Sequence, residues 1–113
     1  MILESDYTKI AKKSEIPIGK MKNVVFQGKE ILIANVNGSF YAIGNICTHS
    51  GGNLSQGTLE GNIVTCPKHK SKFDVTTGKV ISPPKMGLFH PKIQDEQSYI
   101  VKTENDDILI KIP

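Results

Sequence analysis

Arginine and tryptophan are absent from this chain of 113 residues, cysteine occurs twice, and aromatic residues make up 6% of it. Each shortage excludes something. Nucleic-acid surfaces enlist Arg forks and rings that stack on bases; here the net charge is +3, all 14 basic residues are lysine, and the few aromatics do not interleave with them. Two cysteines cannot build the multi-bridge framework of a small secreted domain. No apolar run approaches the ~18 residues of a membrane span, and Met1-Ile2-Leu3-Glu4-Ser5-Asp6 lacks the basic start and apolar stretch of a signal peptide. The expectation is a cytoplasmic protein that binds neither nucleic acid nor membrane. The length suits one domain with a modest core, and a core so poor in aromatics gains from a metal group that ties loops together.

What is present reads as strands. Short β-branched and apolar runs are separated by Gly, Asn, Asp and Pro. They predict strands near Tyr7–Ala11, Asn23–Gln27, Glu30–Val36, Phe40–Ile43, Ile63–Cys66, Phe73–Val75, Lys79–Ile81, Ser98–Thr103 and Ile108–Ile112. Asn37-Gly38 is the strongest hairpin signal, and Gln27-Gly28, Glu60-Gly61-Asn62 and Thr77-Gly78 mark further tight turns. Ile108, Ile110 and Ile112 alternate with Leu109 and Lys111, which predicts one buried face. No segment carries a helical stripe, so the class is all-β with antiparallel sheets.

The chemistry concentrates in two short motifs. Cys47-Thr48-His49 is followed, after 16 residues, by Cys66-Pro67-Lys68-His69, and these contain both cysteines of the chain. Thiolates favour iron–sulfur clusters, zinc and copper(I), while imidazole suits zinc and iron. Two Cys and two His divided as Cys-x-His and Cys-x-x-His are the ligand inventory of a Rieske 2Fe–2S centre. A structural zinc site uses the same residue types, although zinc fingers pair Cys with Cys and His with His across their loops. A disulfide between Cys47 and Cys66 needs an oxidising compartment that nothing in the chain suggests.

The flanking residues sharpen the choice. The first motif continues as Ser50-Gly51-Gly52. The second continues as Lys70-Ser71-Lys72-Phe73-Asp74, then Thr77-Gly78-Lys79-Val80 and Pro83-Pro84. From Ile16 to the last strand the chain resembles the Rieske-type ferredoxins, small electron carriers of ring-hydroxylating dioxygenase systems. The resemblance implies a Rieske iron–sulfur fold spanning 1–113, with stacked antiparallel sheets and a small cluster-binding subdomain at about 44–84. It implies one 2Fe–2S cluster per chain, with Cys47 and Cys66 on the inner iron and His49 and His69 on the outer one. Ser82-Pro83-Pro84 resembles a third loop covering the cluster. The implied partners are a flavin-dependent ferredoxin reductase and a terminal oxygenase, with the carrier a monomer and no catalytic residues of its own. A small Rieske subunit of a nitrite reductase or other multi-component oxidoreductase is the alternative; a zinc-stabilised binding module is another.

Formal charge explains the choice of ligands. Two ferric ions, two sulfides and two thiolates sum to zero, so one-electron reduction gives −1. A four-thiolate cluster is two charges more negative in either state, which is why two-His clusters have the higher potentials. High-potential members of the family add a disulfide beside the cluster, a Ser near the second His and a Tyr two residues later. Here Gly52 and Lys68 stand at the disulfide positions, Ser71 matches the Ser, and Phe73 replaces the Tyr. That combination predicts a low potential. Lys68 and Lys70 flank His69, and Lys68, Lys70, Lys72, Lys79, Lys85 and Lys92 face a single acid, Asp74, between Cys66 and Lys92. The excess predicts a positive collar suited to an acidic docking face. His90 is expected to be a structural or surface histidine, Asp74 to order the loop backbone, and Asp95, Glu96, Asp106 and Asp107 to be solvated turn acids.

Overall fold

The computed structural model describes residues 6–48, 51–68, 70–82 and 93–111. Among the described residues ten strands form two antiparallel sheets: β1 (Tyr7–Lys12), β2 (Met21–Phe26), β3 (Lys29–Val36), β4 (Ser39–Gly44), β5 (Thr58–Glu60), β6 (Ile63–Thr65), β7 (Lys72–Asp74), β8 (Val80–Ser82), β9 (Ser98–Glu104) and β10 (Asp107–Lys111). The larger sheet has the order β1-β10-β9-β4-β3-β2, and the smaller is a meander, β5-β6-β7-β8. Every strand expected from the sequence is present within two residues of its expected ends, apart from Ile112, which lies outside the described residues. β5 is additional. It has only three residues, and its half-buried Leu59 between exposed Thr58 and Glu60 gives too short an alternation to register.

Turn chemistry sets the register. Gln27-Gly28 and Asn37-Gly38 link strands whose flanking residues pair directly, Phe26 with Lys29 and Val36 with Ser39. All four turn residues have positive φ, as a two-residue type I′ hairpin demands. Asn105, at φ 54°, turns β9 into β10.

The small sheet is an insertion. The chain leaves the large sheet at the end of β4 and returns as β9 beside the strand it left, with Ala42 opposite Tyr99 and Ile43 opposite Ser98. β3 is buried on both faces. Ile31 and Ile33 join Ala11, Ile16, Phe40, Ala42, Ile108 and Ile110 in one core. Leu32 and Ala34 point the other way and pack with Ile43, Leu54, Val64, Phe73, Val75, Cys47 and Cys66 in the second. Alternation along a strand sends neighbours to opposite faces, so an unbroken apolar run such as Ile31–Ala34 serves two cores at once. The expected alternation of the last strand is found, with Ile108 and Ile110 fully buried.

Candidate metal centre

Two loops built to one plan carry the two cysteines. In the first, which leaves β4, the Cys47 N–H donates to the Gly52 carbonyl at 2.8 Å, and the Gly51 N–H donates back to the Cys47 carbonyl at 2.9 Å. In the second, between β6 and β7, the Cys66 N–H donates to the Ser71 carbonyl at 2.8 Å and the Lys70 N–H donates back to the Cys66 carbonyl at 3.2 Å. The fifth station of each loop is left-handed: Gly51 at φ 73° and Lys70 at φ 64°. Glycine takes that conformation freely, whereas an L side chain takes it at a cost. Both loops are thus closed by the same pair of backbone bonds, and a lysine occupies a station that suits glycine.

The base of the first loop is held by amides. Asn45 is fully buried. Its Nδ2 donates to Asn53 Oδ1 at 2.7 Å, its Oδ1 accepts from the Ser55 N–H at 2.9 Å, and its backbone N–H donates to the Glu30 carbonyl at 3.0 Å. Sequence reasoning missed this residue; its sole signal is an Asn two positions before a candidate ligand. At the end of β7, Asp74 orders the backbone of the β7–β8 turn: its Oδ1 accepts from the Thr76 N–H at 2.8 Å and from the Thr76 hydroxyl at 2.6 Å. Burial opposes the charge on Asp74, but the Thr76 and Asn62 hydrogen bonds outweigh it and hold the carboxyl below its ordinary range.

Cys47 and Cys66 are both buried, belong to one core, and are not joined in a disulfide. Cys47 Sγ lies 3.3 Å from Ser71 Oγ, so the two loops meet at a sulfur. His49 and His69, with His90 and Pro83-Pro84, lie outside the described residues. Among the described residues no group of three or more His, Cys, Asp or Glu converges on a point. The donors present suit a thiolate-ligated cluster: two buried thiols on matched loops, with a hydroxyl beside one sulfur.

A scan against family models matches the Rieske [2Fe-2S] domain over residues 6–108. The chain belongs to the Rieske 2Fe–2S family. The chain is 40% identical, over 98 residues covering 87% of it and 88% of the relative, to the ferredoxin component of the naphthalene 1,2-dioxygenase/salicylate 5-hydroxylase systems of a Ralstonia species. It is 35% identical, over 105 residues covering 92% of it and 90% of the relative, to the biphenyl dioxygenase ferredoxin subunit of Pseudomonas sp. strain KKS102. Among solved structures it resembles the ferredoxin of carbazole 1,9a-dioxygenase from Nocardioides aromaticivorans, with a TM-score of 0.77, 25% identity, and coverage of 92% of this chain and 95% of that one. A further match, with a TM-score of 0.77, 26% identity and coverage of 93% and 92%, is to a chain in a complex of reduced oxygenase and oxidised ferredoxin. As a Rieske protein of the ferredoxin type, the chain carries one 2Fe–2S cluster and transfers electrons rather than converting a substrate.

The charged side chains depart from expectation in two places. Lys68 and Lys70 are exposed, as a docking collar needs, but the Lys72 ammonium turns back to donate to Thr65 Oγ1 at 3.0 Å. Glu96 is no solvated turn acid. It is buried, with 7% of its surface exposed, and its Oε2 accepts the Thr48 N–H at 3.0 Å. Burial raises its pKa to about 8, the Thr48 hydrogen bond opposing and charge at Cys47 adding to the rise. Asp95 Oδ1 accepts the Val80 N–H at 2.8 Å, and Asp106 accepts from the Ser14 N–H and hydroxyl at 3.0 and 2.8 Å. Asp107 lies 3.1 Å from Lys9. Asp95 and Asp106 are exposed, as expected, yet each, like Asp107, is also tied to a distant segment.

Proposed function

We propose that the chain is the cytoplasmic, monomeric ferredoxin component of a ring-hydroxylating oxygenase system, a single Rieske domain over 1–113 with its cluster-binding subdomain at about 44–84. It takes one electron at a time from a flavin-dependent reductase and passes it to a terminal oxygenase. The matched loops around Cys47 and Cys66 carry this reading. Cys47 and Cys66 hold one iron by their thiolates, and His49 and His69 hold the other by their rings. The cluster supplies a one-electron couple whose charge moves between zero and −1.

The chain's own residues do the rest. The paired backbone bonds of the two loops limit rearrangement on electron gain. Ser71 offers its hydroxyl to the Cys47 sulfur, which favours extra negative charge there. Lys68 and Lys70 give the tip a positive rim, which suits an acidic face on the partner and speeds encounter. No helix of the described residues is long and apolar enough to cross a membrane, in keeping with a freely diffusing carrier. The relatives' names favour an oxygenase system over a nitrite reductase subunit.

Iron and acid-labile sulfide analysis of the anaerobically purified protein, with its paramagnetic resonance spectrum, tests the ligand set. Two irons, two sulfides and a reduced signal lost in both His49→Ala and His69→Ala are expected. A colourless protein with one zinc, or an unchanged chromophore in either variant, refutes the reading.

A further inference from the structure

The segment Gln94–Gln97 is a strap across three parts of the molecule. The Gln97 carbonyl accepts the Gly44 N–H at 2.8 Å, tying it to the end of β4. The Glu96 N–H donates to the Gly78 carbonyl at 2.7 Å, and Asp95 holds Val80, tying it to the β7–β8 hairpin of the small sheet. Two further contacts converge on Thr48: its hydroxyl donates to the Gln94 carbonyl at 2.6 Å, and its N–H donates to Glu96 Oε2.

Two glycines make room for the acid. A Cβ on Gly44 would stand 2.6 Å from Glu96 Oε1, and a Cβ on Gly78 would collide with the Glu96 carbonyl oxygen. Gly44 has no positive φ, so its conformation alone does not call for glycine; the space taken by the carboxyl group does.

The matched loops show what the acid does. The peptide joining Cys47 to Thr48 is clamped at both ends, its oxygen by the Gly51 N–H and its nitrogen by Glu96. In the second loop the equivalent peptide joins Cys66 to Pro67. Its oxygen is held by the Lys70 N–H. Its nitrogen has no hydrogen, and the proline ring fixes the backbone there. One loop is stiffened by a covalent ring, the other by a buried carboxyl group brought from 48 residues away.

We infer that Glu96 is a positioning residue for the cluster: through the Thr48 N–H it fixes the peptide between the two first-loop ligands, Cys47 and His49, and so the geometry in which they meet the metal. The inference rests on the ligand set proposed above. It does not depend on which partners the carrier serves, and it needs an acceptor oxygen rather than a charge.

The test uses the purified cluster-loaded protein, with paramagnetic resonance line shape, midpoint potential and iron release to a chelator as readouts, and thermal unfolding as a stability control. Glu96→Ala removes the acceptor. It is expected to broaden the reduced cluster's g-value distribution, shift the midpoint and speed iron release several-fold. Glu96→Gln keeps an acceptor oxygen and is expected to restore all three. Gly44→Ala leaves the acid in place but pushes its carboxyl group off Thr48. It is expected to reproduce the Glu96→Ala spectrum, and it serves where Glu96→Ala fails to accumulate. Line shape and midpoint unchanged in Glu96→Ala or Gly44→Ala, whatever the melting temperature, overturn the inference. So does a Glu96→Gln protein that matches Glu96→Ala, because the charge would then be the active feature. A wild-type protein without the Rieske signal overturns the ligand set itself, an outcome distinct from either of these.

Discussion

Ser71 Oγ and Cys47 Sγ, 3.3 Å apart, join the two cysteine loops through a hydroxyl and a sulfur, and Ser71 is fully buried. With Cys47 a metal thiolate, the hydroxyl is the proton donor of the pair. Such a bond strengthens as negative charge builds on the sulfur. Ser71→Ala is therefore expected to lower the midpoint potential. A differential of about 1 kcal/mol corresponds to about 40 mV for one electron. The wild-type protein, with Phe73 where a hydroxyl would help and no neighbouring disulfide, is expected nearer ~−150 mV than ~+300 mV on the range of Rieske centres. Potentiometry of both proteins checks the two statements together. A clearly positive wild-type midpoint, or an unchanged one in the variant, contradicts them.

Lys70 occupies a left-handed station at φ 64°. Relief of that backbone cost is worth about 1 kcal/mol, which for a domain of this size is a rise of about 4 °C in melting temperature. Lys70→Gly is expected to show it, and Lys70→Ala, which removes the charge but keeps the Cβ, is not. Calorimetry on the loaded protein separates the two.

The exposed pair Lys68 and Lys70 is expected to govern association. Lys68→Glu with Lys70→Glu should slow electron transfer to the oxygenase at low ionic strength by about tenfold or more and flatten its dependence on salt. Stopped-flow rates across a salt series give the answer. Identical curves for both proteins reduce the collar to ordinary solvated surface.

Glu96 gives the folded protein a pH dependence of definite sign. Its carboxyl titrates at about 8 when folded, against an ordinary 4.5, chiefly because it is buried. Between those values the folded state holds a proton that the unfolded chain has released. The contribution to stability is full below 4.5 and falls as pH rises towards 8. Denaturant unfolding at about pH 5 and about pH 8 should show lower stability at the higher pH, and Glu96→Gln should remove most of the difference.

Local patterns made most of the architecture legible. Asn37-Gly38 and Gln27-Gly28 announced their hairpins because both turn residues must take positive φ. Ile108 and Ile110 announced their buried face by alternation. The cysteines stood out because their residue type carries their chemistry. The acid at 96 was misread for the opposite reason. Nothing adjacent in the chain buries it; Gly44, Thr48 and Gly78 do, and each looks like an unremarkable loop residue until the fold brings them together. Asn45 escaped notice likewise, since its partners Asn53 and Ser55 matter only once the loop has closed. The backbone state of Lys70 was invisible because lysine does not advertise a left-handed turn.

The double duty of β3 sets a limit on dissection. Leu32 and Ala34 roof the compartment that contains Cys47 and Cys66, while Ile31 and Ile33 floor the opposite one. The strand is a party wall, and neither room stands without it. A minimal metallopeptide cut from the small sheet alone would expose Val64 and Phe73 to water and lose its ceiling. Transplanting this centre into another scaffold therefore requires carrying β3 and β4 along, and a protease that nicks either of them dismantles both halves at once.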